Sequence, residues 1–168
     1  MRLRPVLPSD LPKYTEWLQD AEVRRWLAAL PEAPTLEEEI DWYESTRENP
    51  DNVLWAIETL DGELMGSVEL RLVPAARRAE LGIAIQDKGR WSQGYGEDAI
   101  KAVLRYGFED LDLNRIDLTT DETNVRGRRC YEKCGFVEEG VLRQHRFIDG
   151  RPSNSIAMAV LREEWKKQ

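Results

Sequence analysis

Gln93-Gly94-Tyr95-Gly96 stands where a polar turn becomes a helix, and that placement gives the stretch its chemistry. Before it, Ile83, Ala84 and Ile85 read as the end of an apolar strand, and Arg90, Trp91 and Ser92 belong to the turn. After it, Ile100, Val103, Leu104, Gly107, Phe108 and Leu111 recur at helical spacing on one face. A helix start carries backbone N–H groups without partners and the positive end of the helix dipole. Glycine lets a ligand approach those groups without a Cβ in the way. Together they describe an anion site, most simply for a phosphate or pyrophosphate. A Walker loop is excluded, because no Lys-Ser/Thr pair follows the glycines. A dinucleotide fingerprint tolerates Ala99 in its third place and would use Asp117 as its acid. However, this motif sits mid-chain after three other strands, which argues against a nucleotide-binding oxidoreductase. Gly-Tyr-Gly alone is equally consistent with a helix entry that binds nothing.

The second half of the signal runs from Asn124 to Phe136, NVRGRRCYEKCGF. Asn124 is a helix N-cap and Gly135 the residue that ends the helix. Taken with RWSQGYG, the segment resembles the GNAT superfamily of acyl-CoA-dependent N-acetyltransferases. Gly94 and Gly96 fit its first motif; Asn124, Tyr131, Gly135 and Phe136 fit its second. Trp91 replaces the usual Gln or Arg, which points to the RimJ/RimL-like branch, similar to ribosomal-protein and polyamine acetyltransferases. Gly127 stands where Ala is usual. The resemblance spans nearly the whole chain.

It implies a site. Backbone around Gln93, Gly94, Tyr95, Gly96 and Glu97 would hold the pyrophosphate of acetyl-CoA, the co-substrate, with Arg90, Trp91 and Ser92 beside it. Ile83, Ala84 and Ile85 would pair with the pantetheine amides, and an N–H at that strand's end would polarise the thioester. Asn124 would add a hydrogen bond to the CoA arm. Tyr131 would protonate the departing thiolate, a task suited to a phenol. Its presence speaks against a non-catalytic acyl-CoA sensor or scaffold. Glu80 is the expected base, with Glu69 and the lone His145 as alternatives. No metal is expected: Cys130 and Cys134 are four apart, and one histidine does not complete a zinc set.

The chain's 168 residues suffice for one domain, expected over 1–168. Its formal charge of −8, from 32 acidic and 24 basic residues, disfavours a nucleic-acid surface and favours cationic partners. No apolar run is long enough for a membrane helix, and the start lacks a signal-peptide core. With no disulfide pattern either, a cytoplasmic location is expected. The acceptor is a small amine or a peptide N-terminus, with protein N-termini, polyamines and aminoglycoside-like amines competing. A homodimer is admitted.

The positioning elements follow the hydrophobic pattern. Strands are expected at 1–7, Val53–Leu60, Leu64–Val73, Glu80–Ile85, Arg115–Thr120, Val137–Ile148 and Ser153–Leu161, with Asp61-Gly62 and Asp149-Gly150 as hairpin turns. Ser9, Asp20 and Thr35 are candidate caps of early helices, and Pro31 and Pro34 break the chain between them. Leu36, Ile40 and Tyr43 are expected on the packed side of the Thr35 helix. Trp17, Trp26 and Trp42 are expected to pack these helices on the sheet, with some lining the acceptor site. The class is α+β: a mixed, mostly antiparallel sheet of about seven strands with helices on both faces. The resemblance adds a split between the Glu80–Ile85 and Arg115–Thr120 strands that admits acyl-CoA.

Overall fold

The computed structural model describes residues 1–27, 30 and 32–166. The break assigned to Pro31 lies outside these residues. One sheet has the order β1 (Arg2–Pro5), β2 (Asn52–Glu58), β3 (Leu64–Val73), β4 (Arg78–Ile85), β5 (Arg115–Asp121), β7 (Arg151–Leu161), β6 (Val137–Ile148). All neighbours are antiparallel except β4 and β5. Those two pair only through Arg78–Arg115, Ala79–Ile116 and Glu80–Asp117. Beyond Glu80 the two strands separate, so the sheet forks at its centre.

Side-chain alternation sends the two faces to different cores. Ile57 packs with Val68 and Leu70 under α4 (Tyr95–Arg105), whose Ala99, Ile100, Val103 and Leu104 are buried. Its neighbour Ala56 joins Val6, Leu11, Tyr14 and Tyr43 on the other face. That face is covered by α1 (Leu11–Leu18) and α3 (Leu36–Glu48), with the short α2 (Ala21–Arg24) between them in sequence. After α4 the chain makes a π-turn over Tyr106–Asp110, closed by the Leu111 N–H on the Tyr106 carbonyl at 3.1 Å. There Gly107 lies against β5: a Cβ on it would stand 2.7 Å from Ile116 Cδ1. The second-motif helix is α5 (Val125–Lys133), and α6 (Arg162–Trp165) follows β7.

Three expectations about the early helices need correction. Ser9 caps nothing; it lies in a 3-10 turn, Pro8–Asp10, and the Asp10 carboxylate instead accepts from the Leu7 N–H at 2.8 Å. The Asp20 cap on the Glu22 N–H and the Thr35–Glu38 capping box are present. The Asp20 helix is expected from sequence to contain Val23, Trp26 and Leu27, but Trp26 and Leu27 fall beyond α2. The buried face of α3 is Glu39, Tyr43 and Thr46, while Leu36 and Ile40 are exposed. Polar groups take inward positions there because the helix borders a cleft.

The packing of β1 to β2 includes a charge network. Arg4 donates to Asp10 Oδ2 at 2.7 Å, Asp10 Oδ1 at 2.9 Å and Glu58 Oε2 at 2.7 Å, and Arg2 also pairs with Glu58. Arg4 and Arg2 hold the Glu58 carboxyl below the usual range, against its burial. Burial pushes Asp10 up, but Arg4 and the Leu7 N–H outweigh it, so Asp10 also titrates low. A carboxyl with a depressed folded pKa stabilises above its unfolded pKa, about 4, and that stability is lost as pH falls through the folded value. The melting temperature should therefore fall steeply below about pH 4. Arg4→Met should cost about 3 kcal/mol at neutral pH and flatten the acid limb in calorimetry. An unchanged acid limb in that variant would remove the network from the account.

Candidate active site

A cleft of about 1590 Å³ passes through the fork, bordered by α1, α3, α4, α5 and the β3–β5 strands. That is room for a ligand well beyond drug size. Its first wall is the unpaired edge of β4. The Gln86 N–H turns toward β3, to the Met65 carbonyl at 2.9 Å, so the Ile85 carbonyl of the same peptide turns toward the fork. Trp91 Nε1 donates to it at 2.6 Å. By strand alternation the Ile83 and Ile85 N–H groups also face the fork. Ala84 differs: its carbonyl faces β3, 2.0 Å from where a Cβ on Gly66 would stand. The backbone contacts expected of Ala84 are thereby spent on β3, and only its position on the wall remains.

The second wall is the start of α4. Ser92 (φ 60°) and Gly94 (φ 88°) both have left-handed backbones, which bends the chain sharply into the helix. The Asp98 N–H bonds the Gly94 carbonyl at 3.0 Å, which leaves the Tyr95, Gly96 and Glu97 N–H groups directed out of the first turn. A Cβ on Gly96 would be 3.6 Å from Cys130 Sγ and 3.9 Å from Ile85 Cγ1. The side chains near this helix start are largely occupied. Arg90 pairs with Glu63 and, at 3.6 Å, with Asp87. Gln93 Nε2 donates to the Gly89 carbonyl at 2.6 Å, and Glu97 pairs with Lys101 at 2.7 Å. What faces the cleft here is backbone.

Among the described residues, cations without an ion pair come instead from α5. Arg126, Arg129 and Lys133 line the cleft with Cys130. Arg126 lies over the Trp91 ring, 3.7 Å from its centroid. Sequence reading missed these residues, although their i, i+3, i+7 spacing marks one helix face. Asn124 caps α5, accepting from the Gly127 N–H at 3.0 Å and donating to Thr120 Oγ1 at 3.2 Å. Gly127 makes that conformation fit, since a Cβ there would sit 2.6 Å from Asn124 Nδ2.

Tyr131 reaches the cleft from the middle of α5, its ring tilted edge-on to Phe136 at 5.9 Å. Burial pushes its phenol up to about 12. The group therefore holds its proton throughout the neutral range.

Acidic groups gather on the α1–α3 side. Glu69 on β3 lies over Gly82 of β4, where a Cβ would meet its Oε1 at 2.8 Å. Arg71 links Glu69 (2.8 Å) and Glu80 (3.0 Å). Of the two, the Glu69 side chain is 17% exposed and Glu80 42%. Burial pushes the Glu69 carboxyl up. Glu39 on α3 is buried and raised for the same reason, and it lines the cleft with Glu38, Trp26 and Trp42. Glu37, Asp41 and Glu44 do not line it; they face solvent. Trp17 packs on Tyr14 instead. His145 has Nδ1 3.0 Å from Ser155 Oγ. No group of three or more metal-type ligands forms among the described residues.

A family model described as an acetyltransferase (GNAT) domain matches residues 1–137. The chain belongs to the GNAT acetyltransferase family. Spermidine N(1)-acetyltransferase of Escherichia coli (strain K12) is 30% identical over 166 residues, which is 98% of this chain and 88% of that relative. A putative ribosomal N-acetyltransferase, YdaF of Bacillus subtilis (strain 168), is 32% identical over 109 residues, 63% of this chain and 58% of that relative. The crystal structure of spermidine N-acetyltransferase from Vibrio cholerae in complex with CoA and spermine superposes with a TM-score of 0.91 at 26% identity, covering 98% and 97% of the two chains. This GNAT chain is thus an acetyl-CoA-dependent N-acetyltransferase with the forked sheet of its family.

Proposed function

We propose that the chain moves the acetyl group of acetyl-CoA to a primary amine of a polyamine, by direct attack in a ternary complex. The observation that carries this reading is the polarity of the fork. Helix-start N–H groups and the cations of α5 lie on the α4 side, and buried carboxylates lie on the α1–α3 side. An anionic CoA and a cationic amine would meet across the free edge of β4.

The pyrophosphate rests on the Tyr95, Gly96 and Glu97 N–H groups, with Arg126 and Arg129 beside it. Pantetheine runs along the Ile85 and Ile83 edge toward the base of the fork, and the Ile83 N–H, the nearer of the two to that base, polarises the thioester carbonyl. Arg90, Trp91, Ser92 and Gln93 shape the turn. Asn124 holds the start of α5, and its remaining amide N–H is available to the CoA arm. The amine loses its proton to a carboxylate, and Glu69 suits this better than Glu80 because it is less exposed and raised by burial. The amine nitrogen bonds to the carbonyl carbon, the C–S bond breaks, and Tyr131 donates to the sulfur.

The reading takes residues 1–168 as one domain. The two free thiols suit a reducing, cytoplasmic setting. The exposed outer edge of β6, with Val137, Val141 and Leu142, suits pairing with a second copy, which sedimentation would test.

Salt gives the acceptor test. Attraction between an acidic cleft and a polycation is screened, with a Debye length of about 10 Å at 0.1 M. KM for spermidine should rise several-fold between low and moderate salt, while KM for a neutral amine analogue stays nearly constant. A peptide N-terminus serves as the competing acceptor in the same assay. A flat response for spermidine, or a preference for neutral amines or peptides, would remove the polyamine assignment.

A further inference from the structure

Arg146 has no part in the mechanism above, yet it stands at the base of the fork. It lies on β6, two strands from β5, and its side chain reaches across to β5. There Nη2 donates to the Thr119 carbonyl at 3.0 Å and to Thr119 Oγ1 at 2.9 Å. Both partners are neutral. Nε is buried and has no partner. Among the described residues no carboxylate forms an ion pair with this guanidinium, whereas Arg71 and Arg90, which also line the cleft, are paired. Burying a cation with only neutral partners is costly, and the cost shows as a lowered arginine pKa. Arginine stays charged even so. A fixed, charged guanidinium without an ion-pair partner, lining a substrate cleft, is arranged for negative charge that arrives later.

Where that charge arrives follows from the topology. Thr119 lies two residues past Asp117, the last residue of β5 paired with β4. Pantetheine entering from the α4 start along the free edge of β4 has its sulfur end at this fork. Tyr131, whose phenol senses Arg146 electrostatically, lines the same place. We propose that Arg146 is a positioning residue for the departing thiolate: its guanidinium stabilises the negative charge released on the CoA sulfur while Tyr131 supplies the hydrogen bond. As the C–S bond breaks, the electron pair stays on sulfur. The amine's proton goes to the carboxylate side, and sulfur is reprotonated from Tyr131 or water, so CoA leaves as the thiol. The inference rests on the acetyl-CoA reading above.

The other charged or titratable groups facing this point are Glu80 from β4, Asp121 from β5, Cys130 and Tyr131 from α5 and His145 from β6. Glu80 and Asp121 oppose thiolate formation and Arg146 favours it. The sulfur's own pKa therefore reads out which effect wins.

The test is the ultraviolet titration of thiolate in enzyme-bound CoA, with desulfo-CoA as the blank. A free thiol titrates near 8.5. In the wild-type complex the bound thiol should titrate about one unit lower. Arg146→Lys should keep most of that shift, and Arg146→Gln should abolish it. Arg146→Gln should also lower kcat about tenfold, leave KM for acetyl-CoA within about twofold, and leave desulfo-CoA affinity unchanged. A wild-type bound thiol at or above the free value overturns the proposal without any variant being made. Equal thiol pKa values in folded wild type and Arg146→Gln overturn it too. Failure of CoA to bind at all would instead strike the acetyl-CoA reading.

Discussion

Tyr131→Phe lowers kcat by about 10²–10⁴-fold and leaves acetyl-CoA affinity nearly unchanged. The ring packs on Phe136 in either case, so the change removes a proton donor and little volume. The phenol's pKa of about 12 sharpens the expectation. A folded pKa above the usual phenol value means the proton is held at every pH below it. No loss of activity between pH 7 and 10 should therefore trace to Tyr131 in the wild type, and the deficit of the Phe variant should be constant over that range. The acid limb belongs to the carboxylate and the amine: kcat/KM should climb with pH until both have lost their protons, in wild type and variant alike. Pre-steady-state rates separate chemistry from product release. If the chemical step of the Phe variant stays within about twofold of wild type, Tyr131 is a packing residue.

Gly96→Val removes acetyl-CoA binding by at least about tenfold without unfolding the protein. The fold survives because a Cβ at Gly96 finds only ordinary contacts, 3.6 Å to Cys130 Sγ and 3.9 Å to Ile85 Cγ1. Its φ is not among the left-handed values. Binding fails because the branched methyls stand in front of the N–H groups that the pyrophosphate needs. Gly94→Val would be a poorer test, since φ is 88° there and the backbone itself would be strained. Calorimetry of acetyl-CoA on folded Gly96→Val gives the answer, and unchanged affinity would move the pyrophosphate elsewhere.

The fold was legible wherever local pattern and tertiary role coincide. β3 and β6 begin and end where alternation and the Pro74 and Asp149-Gly150 signals place them. The fork was legible only through the resemblance, because nothing local in β4 or β5 announces that pairing stops after Glu80. The α3 face was misjudged for a related reason. Glu39 turns inward because a cleft lies there, and Leu36 and Ile40 turn outward. A cleft is a property of several elements, and apolar periodicity in one helix does not reveal it.

Within the site, backbone roles were more readable than side-chain roles. The glycine turn at Gly94 and Gly96 and the Asn124 cap carry their own geometry in their residue types. Arg90 looked like a phosphate ligand, but Glu63 and Asp87, invisible partners in the sequence, hold it. Arg126 and Arg146 drew no reading from the sequence, and only the folded chain sets one over Trp91 and the other at the fork. Sequence reading put Glu80 ahead of Glu69, because the burial beside Gly82 that favours Glu69 exists only in the folded chain.

The central claim is that this cleft catalyses acetyl transfer to an amine as well as holding acyl-CoA. The direct measurement is release of free CoA thiol from acetyl-CoA, with and without spermidine, with the acetylated amine followed by mass spectrometry. The account predicts thiol release only when spermidine is present, one acetylated product per thiol released, and near-complete loss of both in Tyr131→Phe. Tight acetyl-CoA binding with no amine-dependent thiol release, across polyamines and basic peptides alike, would contradict it.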